Sequence, residues 1–214
     1  MRSGQAGRMN NRTELVLVRH GESEWTEKGL LHGGRLDSPL SPKGRRQAAL
    51  AARRLEGEDF AALFSSPQGR AMQTAQILGE VLGLTTEPLD GLREYIFGWV
   101  EGKPKTLFEP DGTGPLLLKP LIGLSALLTG ERPRQFNQRV LNAIHVISDR
   151  HPSGRILVVT HWGVLSLLMA ALLDADPKRW REYGGWSPCG ITELHGHHGE
   201  WKLIRMNDSE HLQE

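Results

Sequence analysis

Residues 15–22 read Leu15-Val16-Leu17-Val18-Arg19-His20-Gly21-Glu22, and this stretch decides the fold. Its first four residues are apolar, and so short an apolar run predicts a strand buried on both faces rather than a helix. The strand ends abruptly at an arginine and a histidine. Ligands of open α/β sheets bind at the carboxyl ends of the strands, so Arg19 and His20 are predicted to lie at a binding site. Gly21 has no Cβ atom, which lets a ligand approach the backbone closely.

A second stretch has the same construction. Residues 156–163 read Ile156-Leu157-Val158-Val159-Thr160-His161-Trp162-Gly163, and an apolar helix from Val164 to Leu173 follows. One histidine after a strand is usually a structural residue. Two strands that each bring an imidazole to the same edge of a sheet indicate a site instead, so we expect His20 and His161 to lie together.

The composition excludes several classes of protein. The chain has 214 residues, of which 38% are hydrophobic and 24% charged, as in a single globular domain. A net charge of +1 gives no field that would attract nucleic acid or a membrane, and no uncharged apolar stretch is long enough to span a bilayer. The single cysteine, Cys189, excludes an intramolecular disulfide and favours a cytoplasmic location. Residues 1–12 are polar and glycine-rich, and we expect a disordered tail there, followed by one domain at residues 13–214.

The rest of the chain alternates between strand and helix patterns. Capping residues and helical spacing predict helices at Pro42 to about Leu55, from after Ser65-Ser66-Pro67 to about Leu82, at about Arg134 to Arg150, and at Pro177 to Tyr183. Short apolar runs predict a strand at Phe60 to Phe64 and a hairpin of Ile191 to His195 with Trp201 to Arg205. Glu22 to Asp37 is predicted to be a loop. The alternation predicts an α/β fold, a three-layer sandwich in which helices flank a mixed, mainly parallel sheet.

Residues from about 103 to 133 are the least regular part of the chain and are expected to form an insertion or lid over the sheet edge. Within them, Leu116 to Leu128 is strongly apolar. Three interpretations stay open for this run: burial in the core, contact with a second subunit in a homodimer, and contact with an apolar part of a substrate.

Charged residues beside the two histidines indicate which ligand the site binds. Arg70 falls in the first turn of a predicted helix, where a cation is unfavourable for the helix dipole but well placed to hold an anion. With Arg19 it gives a cationic pocket, and arginine pairs a tetrahedral oxyanion through two parallel hydrogen bonds. Glu94, in a segment that mixes carboxylates and aromatic residues between glycines, adds one carboxylate. The chain contains no zinc or nucleotide-loop motif, so we expect neither a metal nor a cofactor. His195, His197 and His198 fall in a predicted hairpin and are interpreted as turn residues rather than metal ligands.

Five stretches, in the same order along the chain, resemble the conserved blocks of the histidine phosphatase superfamily, which includes the cofactor-dependent phosphoglycerate mutases. The first runs from Leu17 to Trp25 and contains Arg19-His20-Gly21-Glu22. The other four are Asp37 to Gly44, Ser65 to Ala75, Leu92 to Glu94 with Gly98 to Gly102, and Val158 to Gly163. The resemblance extends from Glu14 to about Leu173 and implies a phosphoglycerate mutase-like fold.

The resemblance also implies roles for individual residues. His20 would be the nucleophile and form a phosphohistidine, with its second ring nitrogen held by a hydrogen bond. Arg19, Arg70 and His161 would bind the phosphoryl oxygens, and Glu94 would transfer the proton of the leaving group and of water. The ligand would be a small phosphorylated substrate. The further residues expected to line its site are Gly21, Glu22, Ser23, Thr26, His32, Tyr95 and Trp162.

Three functions stay open: a metal-independent phosphomonoesterase, a phosphoglycerate mutase-type transferase, and an inactive phosphate-binding module. A short segment between Glu94 and His161 favours the phosphatase, as does His32, where mutases tend to have threonine. The five reactive residues argue against a module that only binds. Two departures from the family, Trp162 in place of glycine and Ser166 in place of a basic residue, bear on the choice of substrate. Trp162 either narrows the mouth of the site or packs beneath the lid.

Overall fold

The computed structural model describes residues 12–107, 124–125, 127–174, 176–197 and 200–213. In this part of the chain six strands form one sheet in the order β3-β2-β4-β1-β5-β6. They are β1 (Thr13–Arg19), β2 (Ala62–Ser65), β3 (Thr86–Pro88), β4 (Gly154–Thr160), β5 (Ile191–His197) and β6 (Glu200–Asp208). Strands β1 to β4 are parallel to one another, whereas β5 is antiparallel to β1 and β6 is antiparallel to β5. The predicted mixed, mainly parallel sheet is therefore confirmed.

The α-helices with both ends in the described part of the chain flank this sheet or connect its strands. They are α1 (Glu24–Glu27), α2 (Pro42–Leu55), α3 (Gly69–Leu82), α4 (Pro133–Arg150) and α5 (Trp162–Leu172). The predicted start of α2 is confirmed, because the Ser41 hydroxyl accepts a hydrogen bond from the backbone N–H of Gly44 at 3.0 Å and Pro42 opens the helix. Gly83 ends α3 as predicted, with a left-handed φ of 68°.

The alternation of side chains along the central strands builds the three layers. Leu15 and Leu17 of β1 face the core that contains α4 and α5. Val16 and Val18 face the opposite core, which is lined by the small side chains of α2 and α3. Both sets are fully buried, as expected for a parallel strand covered by helices on both faces.

The register of β1 with β4 places the two histidines side by side. Arg19 pairs with Thr160 at the carboxyl ends of these adjacent parallel strands. The next residue of each chain segment is a histidine, and the His20 backbone N–H donates to the Thr160 carbonyl at 2.9 Å. The prediction that the two imidazoles share one edge of the sheet is confirmed.

Several boundaries differ from the prediction. The hairpin strands are longer than expected, so Gly196 and His197 belong to β5 rather than to the turn; residues 198–199 lie outside the described part. Helix α3 begins at Gly69, not directly after Pro67, because Gln68 takes the N-cap position. The predicted loop after β1 contains the one-turn helix α1, which Ser23 caps, and the helix predicted at Pro177 is a 3₁₀ helix, Pro177–Glu182.

Two other predictions fall mainly on residues that the structure does not describe. Of the expected tail at residues 1–12, residues 1–11 lie outside the described part, and of the expected lid at about 103–133, residues 108–123 and 126 do. At the end of the apolar run, Leu127 and Leu128 are exposed by 66% and 67%, so these two side chains are not in the core. Within the described ranges no helix combines the length and the apolar character needed to cross a membrane.

Candidate active site

The His20 ring is held in one tautomer. Its Nδ1 lies 2.8 Å from the carbonyl oxygen of Gly21, and because a carbonyl only accepts, Nδ1 carries the proton. Its Nε2 therefore has the lone pair, and the Nε–H of Arg70 donates to it at 3.3 Å. Burial, Arg70 and Arg19 keep the pKa of His20 well below its ordinary value, so the ring is neutral at pH 7. An imidazole nitrogen that has no proton, as Nε2 has none here, can act as a nucleophile.

Arg70 is fully buried and fixed on all sides of its guanidinium group. Its Nη1 donates to Asp37 Oδ1 at 2.6 Å, and its Nη2 donates to the Gly33 carbonyl at 3.3 Å. Asp37 also accepts a hydrogen bond from the backbone N–H of Gly69 at the start of α3. The loop that precedes α2 thus positions the cation that touches His20.

Arg19 reaches the site from the end of β1. Its Nη1 donates to the carbonyl oxygen of Trp186, and the indole Nε1–H of Trp186 donates to Ser166 Oγ on α5 at 2.8 Å. The Nε atom of Arg19 is buried without a partner among the described residues. Burial lowers the pKa of Arg19, but the group stays a cation at neutral pH. A buried donor of this kind fits an anionic ligand.

His161 lies beside His20, with the two ring centroids 5.1 Å apart. Its Nε2 is 2.7 Å from the hydroxyl oxygen of Ser66, the residue after β2. Its Nδ1 is buried and has no partner within the described part of the chain. Burial and the nearby charge of Arg70 hold the pKa of His161 well below its ordinary value. The site therefore contains two neutral imidazoles.

Glu94 is the carboxyl group of the site. Its two oxygens accept hydrogen bonds from the backbone N–H groups of Tyr95 at 2.8 Å and of Gly163 at 3.1 Å. Gly163 lies in the first turn of α5, and a Cβ atom there would overlap Glu94 Oε1. Burial raises the pKa of Glu94 more than these two hydrogen bonds and the two arginines lower it. A carboxyl with a raised pKa keeps its proton to a higher pH than an ordinary carboxyl group does.

Sequence reasoning missed two residues that organise the site, Asp37 and Glu101. The Glu101 carboxylate accepts hydrogen bonds from the backbone N–H groups of Arg35, Leu36 and Phe97, each at 2.9 Å. It ties the loop that carries Asp37 to the loop that follows Glu94. Both residues lie in sequence blocks that resemble the family, and this resemblance was the signal that could have found them. Their hydrogen-bond partners are visible only in the folded chain.

Three polar residues expected at the substrate site are clustered near it. The Ser23 hydroxyl lies 3.0 Å from Thr26 Oγ1 and 3.1 Å from His32 Nε2. Burial and the charges of Arg70, Lys105 and Arg19 lower the pKa of His32 to about 3, so this ring is neutral. The Gly21 backbone N–H donates to Thr74 Oγ1 at 3.1 Å, which holds the start of this loop against α3.

The side chains of three other expected substrate residues, Glu22, Tyr95 and Trp162, contact other protein groups in the structure. The Glu22 carboxylate binds the Ser41 hydroxyl at 3.0 Å and Lys43 Nζ at 3.2 Å, at the start of α2. Tyr95 is 2% exposed and its ring packs edge-on against Phe97, in the core. Trp162 is half-buried at the start of α5. Its ring is T-shaped to that of Trp180, at 6.0 Å between centroids, and it lies against Gly184.

A second cluster of ionisable groups lies at the other end of the sheet. Within the described ranges, Glu14, Glu193 and His195 are the group whose ligand atoms lie close enough to hold a metal ion. The Arg155 guanidinium already lies between the two carboxylates, at 2.9 Å from Glu14 Oε2 and 2.6 Å from Glu193 Oε1. Since Glu14 is near the start of β1 and His20 follows its end, this cluster is remote from the histidine site.

Two buried neutral histidines, two arginines and one carboxyl at the carboxyl ends of parallel strands define a class of phosphoryl-transfer site. The chain belongs to branch 1 of the histidine phosphatase superfamily, whose family model matches residues 15–209. The resemblance of the five sequence blocks is thereby confirmed.

Relatives and solved structures agree with this assignment. The metal-independent phosphoserine phosphatase of Arabidopsis thaliana is 29% identical over 210 residues, which cover 94% of this chain and 83% of that protein. The structure of YhfR from Bacillus stearothermophilus is 32% identical, with a TM-score of 0.81 over 94% of this chain and 100% of that one. A phosphoserine phosphatase of Entamoeba histolytica, in complex with phosphoserine, is 26% identical, with a TM-score of 0.75 over 94% of this chain and 100% of the other.

Proposed function

We propose that the protein is a phosphatase, a phosphoric monoester hydrolase that acts on a small phosphorylated metabolite through a phosphohistidine at His20. One observation carries the proposal. The His20 Nδ1 proton is bound by the Gly21 carbonyl, so Nε2 has no proton and its lone pair faces Arg70, one of the groups proposed to bind the phosphoryl oxygens. Membership in the histidine phosphatase superfamily supports the phosphatase activity.

The phosphoryl group would be bound by Arg19, Arg70 and His161. The two guanidinium groups offer charge-assisted hydrogen bonds to its oxygens, and each such bond contributes roughly 1.5–3 kcal/mol. Because these groups are buried and already fixed by protein partners, they need little reorganisation as charge spreads over the oxygens in the transition state.

In the first chemical step the Nε2 lone pair of His20 forms a bond to phosphorus as the ester P–O bond breaks. The electron pair of that bond goes to the leaving oxygen, which takes the proton of the Glu94 carboxyl group. The raised pKa of Glu94 supports this role, because it increases the protonated fraction.

In the second step a water oxygen attacks the phosphorus of the phosphohistidine. The P–N bond breaks and its electron pair returns to Nε2, while the Glu94 carboxylate accepts a proton from the water. Inorganic phosphate leaves, and both His20 and Glu94 return to their starting protonation states.

We expect the reaction to need no metal ion. Two guanidinium groups carry the charge that would offset a phosphoryl dianion, His20 is the nucleophile, and the proton transfers are assigned to Glu94. Phosphoserine is the first substrate to test, because two of the similar proteins are named for that activity.

The test uses para-nitrophenyl phosphate and phosphoserine in excess chelator, with wild type and His20→Ala. We expect chelator-resistant turnover in wild type, an acid-labile phosphoenzyme in a rapid quench, and a loss of at least about a thousandfold in kcat/KM for the variant. The circular dichroism spectrum of the variant is the control for folding. Phosphoryl exchange between hydroxyls of phosphoglycerate without hydrolysis would support a mutase instead, and binding of phosphate without turnover would support a binding module.

Two further predictions concern the surroundings of the protein. We propose a cytoplasmic location, supported by the unpaired, buried thiol of Cys189. We also propose a homodimer, because the exposed side chains of Leu127 and Leu128 offer apolar surface to a second subunit. Sedimentation velocity of wild type and of Leu127→Ser tests the dimer, and an unchanged monomer in both would contradict it.

A further inference from the structure

We propose that Ser66 is a positioning residue that fixes the tautomer of His161, with the ring proton on Nδ1, where it can be donated to the phosphoryl group. The role of this proton in binding the phosphoryl group rests on the proposed function. The tautomer itself is a property of the protein without substrate and can be measured separately.

The backbone holds Ser66 firmly beside the histidine. Its N–H donates to the carbonyl oxygen of Val159 on β4 at 3.0 Å, and its hydroxyl oxygen lies 2.7 Å from His161 Nε2. Both residues have no exposed surface. Because His161 follows β4 by one residue, the same pair of strands fixes both ends of this hydrogen bond.

The Ser66 hydroxyl group can donate one hydrogen bond, and its other contacts determine which atom accepts it. The backbone N–H of Gln68 donates to Ser66 Oγ at 3.3 Å and occupies one of its lone pairs. When the Ser66 proton points to His161 Nε2, the Ser66 hydroxyl group and His161 Nε2 both have a partner. The Nε2 atom then accepts, so the proton of the neutral ring must be on Nδ1.

The remaining ring atom is the one available to a ligand. Nδ1 of His161 is buried and has no partner among the described residues. Burial and the charge of Arg70 hold the pKa of His161 well below its ordinary value, so the ring has a single proton. With that proton on Nδ1 the ring donates to a phosphoryl oxygen, whereas with it on Nε2 a lone pair would face the anion and repel it.

The experiment records the imidazole ¹⁵N resonances of wild type, Ser66→Ala and Ser65→Ala, with the His161 signals assigned by their absence in His161→Asn. Ser65→Ala is the matched control, because Ser65 is equally buried and its hydroxyl donates to the Ser66 carbonyl at 2.9 Å rather than to a histidine. We expect a protonated Nδ1 in wild type and in Ser65→Ala. In Ser66→Ala we expect the form protonated on Nε2 to appear.

A protonated Nε2 in wild type would overturn the inference, as would a spectrum of Ser66→Ala identical to that of wild type. Kinetics give the second readout. In Ser66→Ala the loss of the His161 Nδ1 donor should lower kcat/KM for phosphoserine and weaken orthovanadate inhibition by roughly 10–100-fold. Ser66→Thr keeps the hydroxyl group and should restore most of the activity and of the inhibition. A loss of the same size in Ser65→Ala, or no loss in Ser66→Ala, would contradict the role.

The two proposals fail separately. If the wild type has no turnover but the ¹⁵N spectra follow the expected pattern, the proposed function is wrong and the Ser66 contact still sets the tautomer. If turnover depends on His20 while Ser66→Ala leaves the tautomer unchanged, the phosphatase stands and the role of Ser66 is wrong.

Discussion

The Glu94 carboxyl group lies under two opposing influences. Burial favours its neutral form, whereas two backbone N–H groups and the charges of Arg70 and Arg19 favour the carboxylate. The net effect is a raised pKa. Opposing influences of this kind suit the proposed role of Glu94 as acid and base, because the group must both give and take a proton in each turnover.

The role of Glu94 as the acid can be tested by comparing substrates with different leaving groups. We expect Glu94→Gln to lower kcat/KM by about 10²–10⁴-fold for phosphoserine, whose alkoxide leaving group needs a proton. The loss should be much smaller for para-nitrophenyl phosphate, since a nitrophenolate departs without one. Steady-state kinetics with both substrates measure the difference, and an equal loss for both would argue against Glu94 as the acid.

The residues proposed to react could be predicted from the sequence, whereas the residues that position them could not. His20, Arg19 and His161 follow apolar strands, so their place at the sheet edge could be predicted from strand endings alone. The contacts of Ser66 and Glu101 join segments 95 and about 65 residues apart. No local pattern marks a hydroxyl or carboxylate for such a partner, and Ser66 resembled a helix cap instead.

At the scale of the element, the first turn of α5 has two functions at once. The backbone N–H of Gly163 binds Glu94, and the absence of a side chain there leaves room for the carboxyl group. Gly163 has no unusual φ, so the requirement for glycine comes from this close contact and not from backbone strain.

The close contact between Gly163 and Glu94 predicts a substitution that lowers activity but not stability. Gly163→Ala should keep the free energy of unfolding within about 1 kcal/mol of wild type, because alanine favours a helix and the obstructing atom belongs to a side chain. Activity toward phosphoserine should fall about as far as in Glu94→Gln, because the carboxyl group is displaced. Urea unfolding and steady-state kinetics separate the two effects; a large loss of stability or full activity would contradict the account.

Element boundaries could be predicted where caps and breakers are strong and not elsewhere. Ser41-Pro42 and Gly83 mark real ends of α2 and α3. Strand β3, Thr86–Pro88, was missed because three residues are too few to show a period. The hairpin strands exceed their predicted length because β5 pairs with β1 across Gly196, a residue whose local preference is for a turn.

On the scale of the whole molecule, an ion-pair network joins strands β4, β5 and β6. Glu193 binds Arg155 at 2.6 Å and Arg205 at 2.7 Å, and its side chain is 6% exposed. Although burial raises the pKa of Glu193, the two arginines and His195 together lower it from 4.5 to about 2.

The sign of this shift gives a prediction for stability. A carboxyl whose pKa is lowered by folding contributes fully above about pH 4.5, and the contribution disappears as the pH falls from 4.5 toward 2. We expect Glu193→Gln to lower the free energy of unfolding at pH 7 by about 1–3 kcal/mol and to flatten its pH dependence in that interval. Denaturant unfolding between pH 2 and pH 7 measures both effects. Glu80→Gln, which removes an exposed carboxylate on α3, is the control and should change neither.

The pairing of β1 with β4 has a consequence for how the protein is made. Thr13 pairs with Gly154, so the central strand of the sheet is synthesised long after its neighbour. During translation the emerging polypeptide exposes the apolar face of β1 to the ribosome and chaperones until β4 arrives. A fragment released before that moment would contain the nucleophilic imidazole with neither its neighbour His161 nor a closed sheet. Hydrolysis can therefore begin only after β4 and His161 have been synthesised.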